Sequence, residues 1–165
     1  MIVQKVLNNS LVLSMDDDNR EVIVMGKGIG FNSRPGDAIA PEKIEKLFVT
    51  QALGARSGYL EALSAIPDEV IEMAAMIISR ANMQLASKVR EQIFFTLADH
   101  LTFAIERSRK GIAIQNRLLP EVRRFYPQQF RVASEAVTII RQQYGIELPE
   151  EEAGNIAFHL VNGQS

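Results

Sequence analysis

His100 and His159 are the only two imidazoles in the sequence. Imidazole titrates near neutrality and keeps a nucleophilic neutral nitrogen there, so these positions are the candidates for proton or phosphoryl chemistry. Each falls in a stretch of helical periodicity. His100 flanks the stripe Ile93, Leu97 and Leu101, with Asp99 pointing elsewhere, and His159 shares a polar flank with Asn155 and Asn162. Neither centres an apolar face, so at least partial exposure is expected. Two readings stand side by side. In one, these are boundary histidines without a role. In the other they accept phosphoryl groups, each adding roughly two negative charges beside a helix surface, enough to repel a partner or recruit arginines. No HxxxH or HExxH spacing offers a metal site, and no GxSxG offers a hydrolase nucleophile. Cysteine is absent, which removes thiol catalysis, zinc-thiolate sites and iron–sulfur clusters and fits a reducing cytosol. No catalytic residue, metal or cofactor is expected.

A second kind of chemistry sits in Val24-Met25-Gly26-Lys27-Gly28-Ile29-Gly30-Phe31. Lys27 offers a charge for a phosphate and Phe31 a face for a base, and the glycines let backbone approach a partner closely. The pattern fails as a dinucleotide fingerprint, because Asn32 to Gly36 cannot open a helix. It matches only the start of an RRM signature. A bulged strand or turn that needs glycine accounts for it equally well. Asn8-Asn9-Ser10 has the same two sides. It is an inert turn, or its amides and hydroxyl reach the base edges and riboses of loop RNA.

The elements that must carry these residues change character near residue 56. Before it β signals dominate: Ile2 to Leu7, Leu11 to Leu13, Glu21 to Met25 and Lys46 to Thr50 read as strands. Asn8-Asn9 reads as a tight two-residue hairpin turn, since Asn tolerates the left-handed conformation; Asp16 to Asn19 reads as a second turn and Ser33 to Asp37 as a loop. Four short strands give a small antiparallel sheet. About 55 residues make a small core, so a partner surface is expected. Gln51 to Ser64 reads as a linker with some helical character, and everything beyond is helical. Pro67-Asp68-Glu69 opens a helix with the stripe Val70, Ile71, Ala74, Ile77, Ile78 and Ala81. Ser87 is placed to cap the next, which Gly111 ends or follows. A short helix is expected over Leu118 to Phe125 and a longer one from about Gln128 to Tyr144, stopped by Gly145. Pro149-Glu150-Glu151-Glu152 opens the last, its acids favouring the positive end of the helix dipole. The fold class is therefore α+β in two domains.

Net charge is −2 over 165 residues, and the segment through Arg56 carries seven Lys and Arg against seven Asp and Glu. That neutrality counts against a generic nucleic-acid binder. RNA binding would require the charges to be segregated in space, and dimerisation could double a small basic patch. No apolar run approaches the ~20 residues of a membrane helix, and the start lacks the apolar region of a signal peptide. No membrane insertion is expected.

These residues bring a family into view. Lys5-Val6-Leu7-Asn8-Asn9, Val24 through Phe31 and Ile44-Glu45-Lys46 resemble the co-antiterminator RNA-binding domain of bacterial transcriptional antiterminators of the BglG/SacY type. Ala98-Asp99-His100 with Phe103-Ala104-Ile105, and Glu152-Ala153-Gly154-Asn155-Ile156-Ala157-Phe158-His159-Leu160, resemble their first PTS regulation domain. The resemblance covers nearly the whole chain. It implies a CAT RNA-binding domain over 1–56, a linker over 57–64 and a PTS regulation domain over 65–165, with a second regulation domain absent, so that the chain is a truncated form or an incomplete homologue. It implies a four-stranded sheet that pairs with a second copy and a helical bundle that also dimerises. The dimer would grip a hairpin in a leader transcript, prevent terminator formation and let polymerase read into sugar-utilisation genes from the cytoplasm. By the same resemblance RNA contacts fall on Lys5, Asn8, Gly26, Lys27 and Phe31, with Asn9, Ser10 and Gly28 beside them. Ser10 departs from the asparagine usual there, and Lys27 stands where arginine is common, which forgoes a bidentate fork but keeps the charge. His100 and His159 become the acceptors of phosphoryl groups from PTS phosphocarrier and sugar-permease proteins. The chain is then a substrate of phosphorylation, not an enzyme. The alternatives are a PTS-linked phosphohistidine sensor, or a DNA-binding regulator in which the sheet serves only dimerisation.

Overall fold

The structure is a computed structural model describing residues 1–50, 58–112 and 119–164. These form two compact units, Met1–Asp68 and Glu69–Ser165. The first half of the expected linker, 51–57, and the expected helix start at 118 lie outside the described residues.

The first unit is a four-stranded antiparallel sheet in sequential order: β1 (Lys5–Val6), β2 (Leu11–Met15), β3 (Glu21–Met25) and β4 (Lys46–Val49). The register sets Val12 opposite Val24 and Ser14 opposite Val22, so these share one face, while Leu11, Leu13, Ile23 and Met25 share the other. Val12, Val22 and Val24 bury against Val3, Ile29 and Ile39; Leu11, Leu13, Ile23, Met25 and Phe48 are buried as well. β2 and β3 thus read as continuous apolar runs because both their faces are covered. The Asp16–Arg20 turn matches expectation, with Asn19 at φ 61 and the Asp16 carboxylate accepting the backbone N–H groups of Asp18 and Arg20.

The hairpin between β1 and β2 differs from expectation. Asn8-Asn9 is not a two-residue turn. The N–H groups of Leu7 and Asn8 both donate to the carbonyl of Leu11, at 3.0 and 3.1 Å, and the loop runs from residue 7 to 10. The reason lies in the Asn8 side chain. Its Oδ1 accepts the Ser10 N–H at 2.9 Å, an Asx-type closure that competes with a backbone hairpin bond. A short helix, α1 (Tyr59–Ser64), follows the sheet within this unit.

The second unit is all helical among the described residues: α2 (Asp68–Gln84), which starts at the last residue of the first unit, α3 (Ile93–Arg109), α4 (Leu119–Phe125), α5 (Pro127–Tyr144) and α6 (Glu150–Gln164). Helical spacing buries the expected stripes on α2 and α3. Ser87 does not cap α3; the helix starts six residues later, and the Ser87 carbonyl instead accepts the side-chain amide of Gln164 at 2.6 Å. Gly145 ends α5 at φ 67, donating its N–H to Arg141, as a left-handed C-terminal glycine does. α6 packs against α3, α4 and α5. It comes close because Gly163 is small: a Cβ there would lie 2.6 Å from Val89 Cγ1 and 3.0 Å from Ile93 Cγ2.

Candidate nucleic-acid interface and histidine pair

Two loops meet at one end of the sheet. After β3 the chain turns through Gly26–Asn32, and the N–H groups of Gly26 and Gly30 donate to the carbonyls of Ser10 and Asn9 at 3.0 and 2.9 Å. These bonds hold Lys27 to Phe31 beside Asn8 to Ser10. The sequence separates the two groups by about twenty positions; the ladder between β2 and β3 brings them together. Two of the glycines are demanded by close backbone approaches, Gly30 by the meeting of the two loops and Gly26 by the Lys43 backbone. A Cβ on Gly30 would lie 2.0 Å from the Asn8 carbonyl oxygen, and one on Gly26 2.0 Å from that of Lys43. Gly28 is required for its φ of +67°, with open space around it. The glycines therefore have a structural explanation, whatever touches the loop from outside.

Phe31 is 64% exposed, an apolar ring turned to solvent. Lys27, Asn9 and Lys5 are exposed too, Lys5 on the strand leading into Asn8. Asn8 and Ser10 are different. The Asn8 amide nitrogen donates to the carbonyls of Leu63 and Ile66 at 3.2 and 3.3 Å. The Ser10 hydroxyl, in a residue only 7% exposed, donates to Asp68 Oδ1 at 2.9 Å. Asn9 Nδ2 donates to the other oxygen, Asp68 Oδ2, at 3.3 Å. In this structure Asn8 and Ser10 are thus not the outward-reaching groups the sequence suggests. The segment after α1 supplies them with carbonyls and a carboxylate. Asp68 escaped the sequence reading because it was explained already as a first-turn acid.

In the helical unit, His100 and Arg107 lie seven residues apart on α3, and Glu152 and His159 lie seven apart on α6. Seven residues are two turns, so each pair shares one helix face. His100 Nε2 is 2.8 Å from Glu152 Oε2, and Arg107 Nη2 donates to Glu152 Oε1 at 3.3 Å. The two imidazole centroids are 5.1 Å apart. His100, Asn155, Phe158, His159 and Asn162 line a cleft of about 290 Å³. Sequence reasoning found both rings and their polar flank, and missed Glu152. A signal was present: Glu152 falls on the stripe Ala153, Ile156, Ala157 and Leu160, and an acid on an apolar stripe is buried only with partners. It is 2% exposed. Burial opposes its ionisation, but the His100 hydrogen bond and charge, followed by those of Arg107, hold its carboxyl below the usual range. Among the described residues no cluster could hold a metal ion.

Burial, reinforced by the neighbouring His100 and partly offset by Glu152, pushes His159 down to about 4. The unfolded ring takes its proton near pH 6.5, so between about pH 6.5 and 4 acid favours the unfolded chain. Stability of the helical unit is expected to be full above that window and to decline as pH falls through it. His159→Gln removes an imidazole and should flatten that decline in urea titrations. An unchanged slope would mean that His159 is solvated.

One unit is thus a sheet whose clustered loops expose a lysine and a phenylalanine, and the other a helical unit with two adjacent histidines. Residues 1–54 match the family described as CAT RNA binding domain, and residues 75–163 the PRD domain. The chain is 42% identical to the beta-glucoside operon antiterminator of Dickeya chrysanthemi, over 99% of its own length and 58% of that protein. It is 37% identical to transcription antiterminator LicT of Bacillus subtilis (strain 168), over 99% of its length and 59% of that protein. A solved structure titled as GlcT CAT-PRDI aligns with a TM-score of 0.84 at 28% identity, covering 99% of this chain and 98% of that one. The chain belongs to the antiterminator family of the BglG/SacY type, and it spans a little under three fifths of the length of the two relatives named.

Proposed function

We propose that the chain is an RNA-binding transcription antiterminator. It binds a leader-transcript hairpin as a homodimer, prevents terminator formation in a sugar-utilisation operon, and is controlled by phosphorylation of His100 and His159. Residues 1–56 act as the RNA-binding module and 65–165 as the regulatory one, joined by 57–64. The phosphoryl donors are PTS phosphocarrier and sugar-permease proteins, the site of action is the cytoplasm, and the chain is a phosphorylation substrate and not an enzyme. Among the described residues no helix is long and apolar enough to cross a membrane.

The observation that carries this reading is the pairing of the two loops, which sets an exposed Phe31 beside Lys27 and the Asn8–Ser10 loop. A ring that is 64% exposed gains little from burial, whereas an unstacked base in a hairpin offers it a face. Lys5 and Lys27 supply charge for the phosphates, and Gly26 and Gly28 shape the loop that presents Lys27. Phe31→Ala is expected to lose stacking of ~1–3 kcal/mol, a weakening of roughly 5- to 150-fold. Gel shifts with sugar-operon leader hairpins measure it, with duplex DNA at matched salt as competitor. Unchanged hairpin affinity would remove Phe31 from the interface, and preference for duplex would favour a DNA-binding regulator.

A further inference from the structure

We propose that His100 receives its phosphoryl group on Nδ1, and that Glu152 is the residue that positions the ring for this. The assignment rests on the phosphorylation reading above and adds to it the acceptor atom.

The geometry is a chain of three side chains. Glu152 Oε2 lies 2.8 Å from His100 Nε2, and its other oxygen takes a hydrogen bond from Arg107 at 3.3 Å. The carboxylate is 2% exposed and is held at both ends. An ionised carboxylate only accepts hydrogen bonds. The ring nitrogen facing it must therefore carry the proton, and in the neutral imidazole the lone pair is left on Nδ1. Nε2 is also closed sterically, because a phosphorus cannot bond a nitrogen with an oxygen already at hydrogen-bond distance. His100 lines the cleft it shares with His159, so its ring can be approached from outside the helix pair.

The donor is a phosphohistidine on another protein. The Nδ1 lone pair attacks phosphorus and forms the new N–P bond. The donor's N–P bond breaks, and its electron pair returns to the donor imidazole. The proton on Nε2 stays between the ring and Glu152. The positive charge the ring gains by forming the N–P bond is met by the carboxylate at 2.8 Å, much as a carboxylate steadies an imidazolium in hydrolytic triads. His159 has no carboxylate contact of this kind among its described hydrogen bonds.

The test uses the whole chain carrying His159→Ala, treated with a histidine-phosphorylated PTS phosphocarrier protein. The phosphohistidine isomer is read by phosphorus NMR and isomer-selective antibodies. The expected product is the Nδ1 isomer, in excess of about ten to one. The Nε2 isomer overturns the assignment. Label confined to His159 in the parent chain also overturns it while sparing the phosphorylation reading; label at neither histidine overturns both. Glu152→Gln keeps an oxygen that can accept the Nε2 proton, so it should keep the isomer. Glu152→Ala should yield mixed isomers, and a pure Nδ1 product from it would deny Glu152 a positioning role. Because the alanine variant is strained in folding, nitrogen-15 NMR of the untreated chain supplies a readout free of that problem. It should find the His100 proton on Nε2; a proton on Nδ1 in the neutral ring overturns the proposal.

Discussion

Gly30→Ala should destabilise the amino-terminal unit by about 3 kcal/mol, at the upper end of what overpacking costs. The added methyl would lie 2.0 Å from the carbonyl oxygen of Asn8 and 3.1 Å from Val6 Cγ1. The first neighbour is backbone and cannot rotate away. Relief requires the Gly26–Asn32 turn to withdraw, which breaks the Gly30 N–H bond to Asn9 and parts the two loops. Gly28→Ala is the informative control. Nothing lies within 4 Å of a Cβ there, and the only penalty is the left-handed φ of +67°, worth roughly 1–2 kcal/mol for an L-residue. Urea denaturation followed by sheet-specific circular dichroism should rank Gly30→Ala well below Gly28→Ala, with the parent above both. Equal losses would mean that conformation, not close approach, fixes this turn.

Glu152→Ala should cost the helical unit ~3 kcal/mol, the low end for removing one partner from a buried ion pair. The low end applies because the Arg107 and His100 side chains remain 29% and 20% exposed and recover some hydration. Arg107 Nε already lacks a partner within the described structure, so the loss falls on a guanidinium with little left to hold. Glu152→Gln keeps the shape and one acceptor and should lose less. Its deficit should depend on pH. The folded carboxyl titrates below its ordinary value, so its contribution is present above the unfolded value near 4.3 and is lost as pH falls through the folded one. Parent and Gln variant should therefore converge in acid, separate as pH rises from the folded value toward the unfolded one, and show the full gap from about pH 5 upward. A gap that persists unchanged in acid would assign the effect to packing.

Much of this was readable in the residues. The strands at Leu11 to Leu13 and Glu21 to Met25, the α2 stripe and the Gly145 stop follow from periodicity and turn chemistry, and each lies where it was expected. The β1–β2 loop did not, because an asparagine can close a turn with its backbone or with its side chain, and sequence does not say which. Ser87 failed as a cap for a related reason: a good capping residue marks a helix start only where the following chain is helical, and residues 88–92 are not. In the sites, exposed groups such as Phe31 and paired rings such as His100 and His159 announced themselves by type and position. Their partners did not. Glu152 and Asp68 each had a sufficient local explanation as acids in a first helical turn, and only tertiary contact reveals the second use of the same carboxylate.

The hold of Asp68 on Asn9 and Ser10 has a consequence for affinity. On the RNA-binding reading, the transcript arrives at groups that already have an occupant, and that occupant is tethered. A tethered competitor acts at an effective concentration of about millimolar, without ever diffusing away. A fragment ending before residue 58 would be rid of it and should hold a leader hairpin more tightly than the 165-residue chain does. Equal grip by both would show that the carboxylate yields its place at no cost.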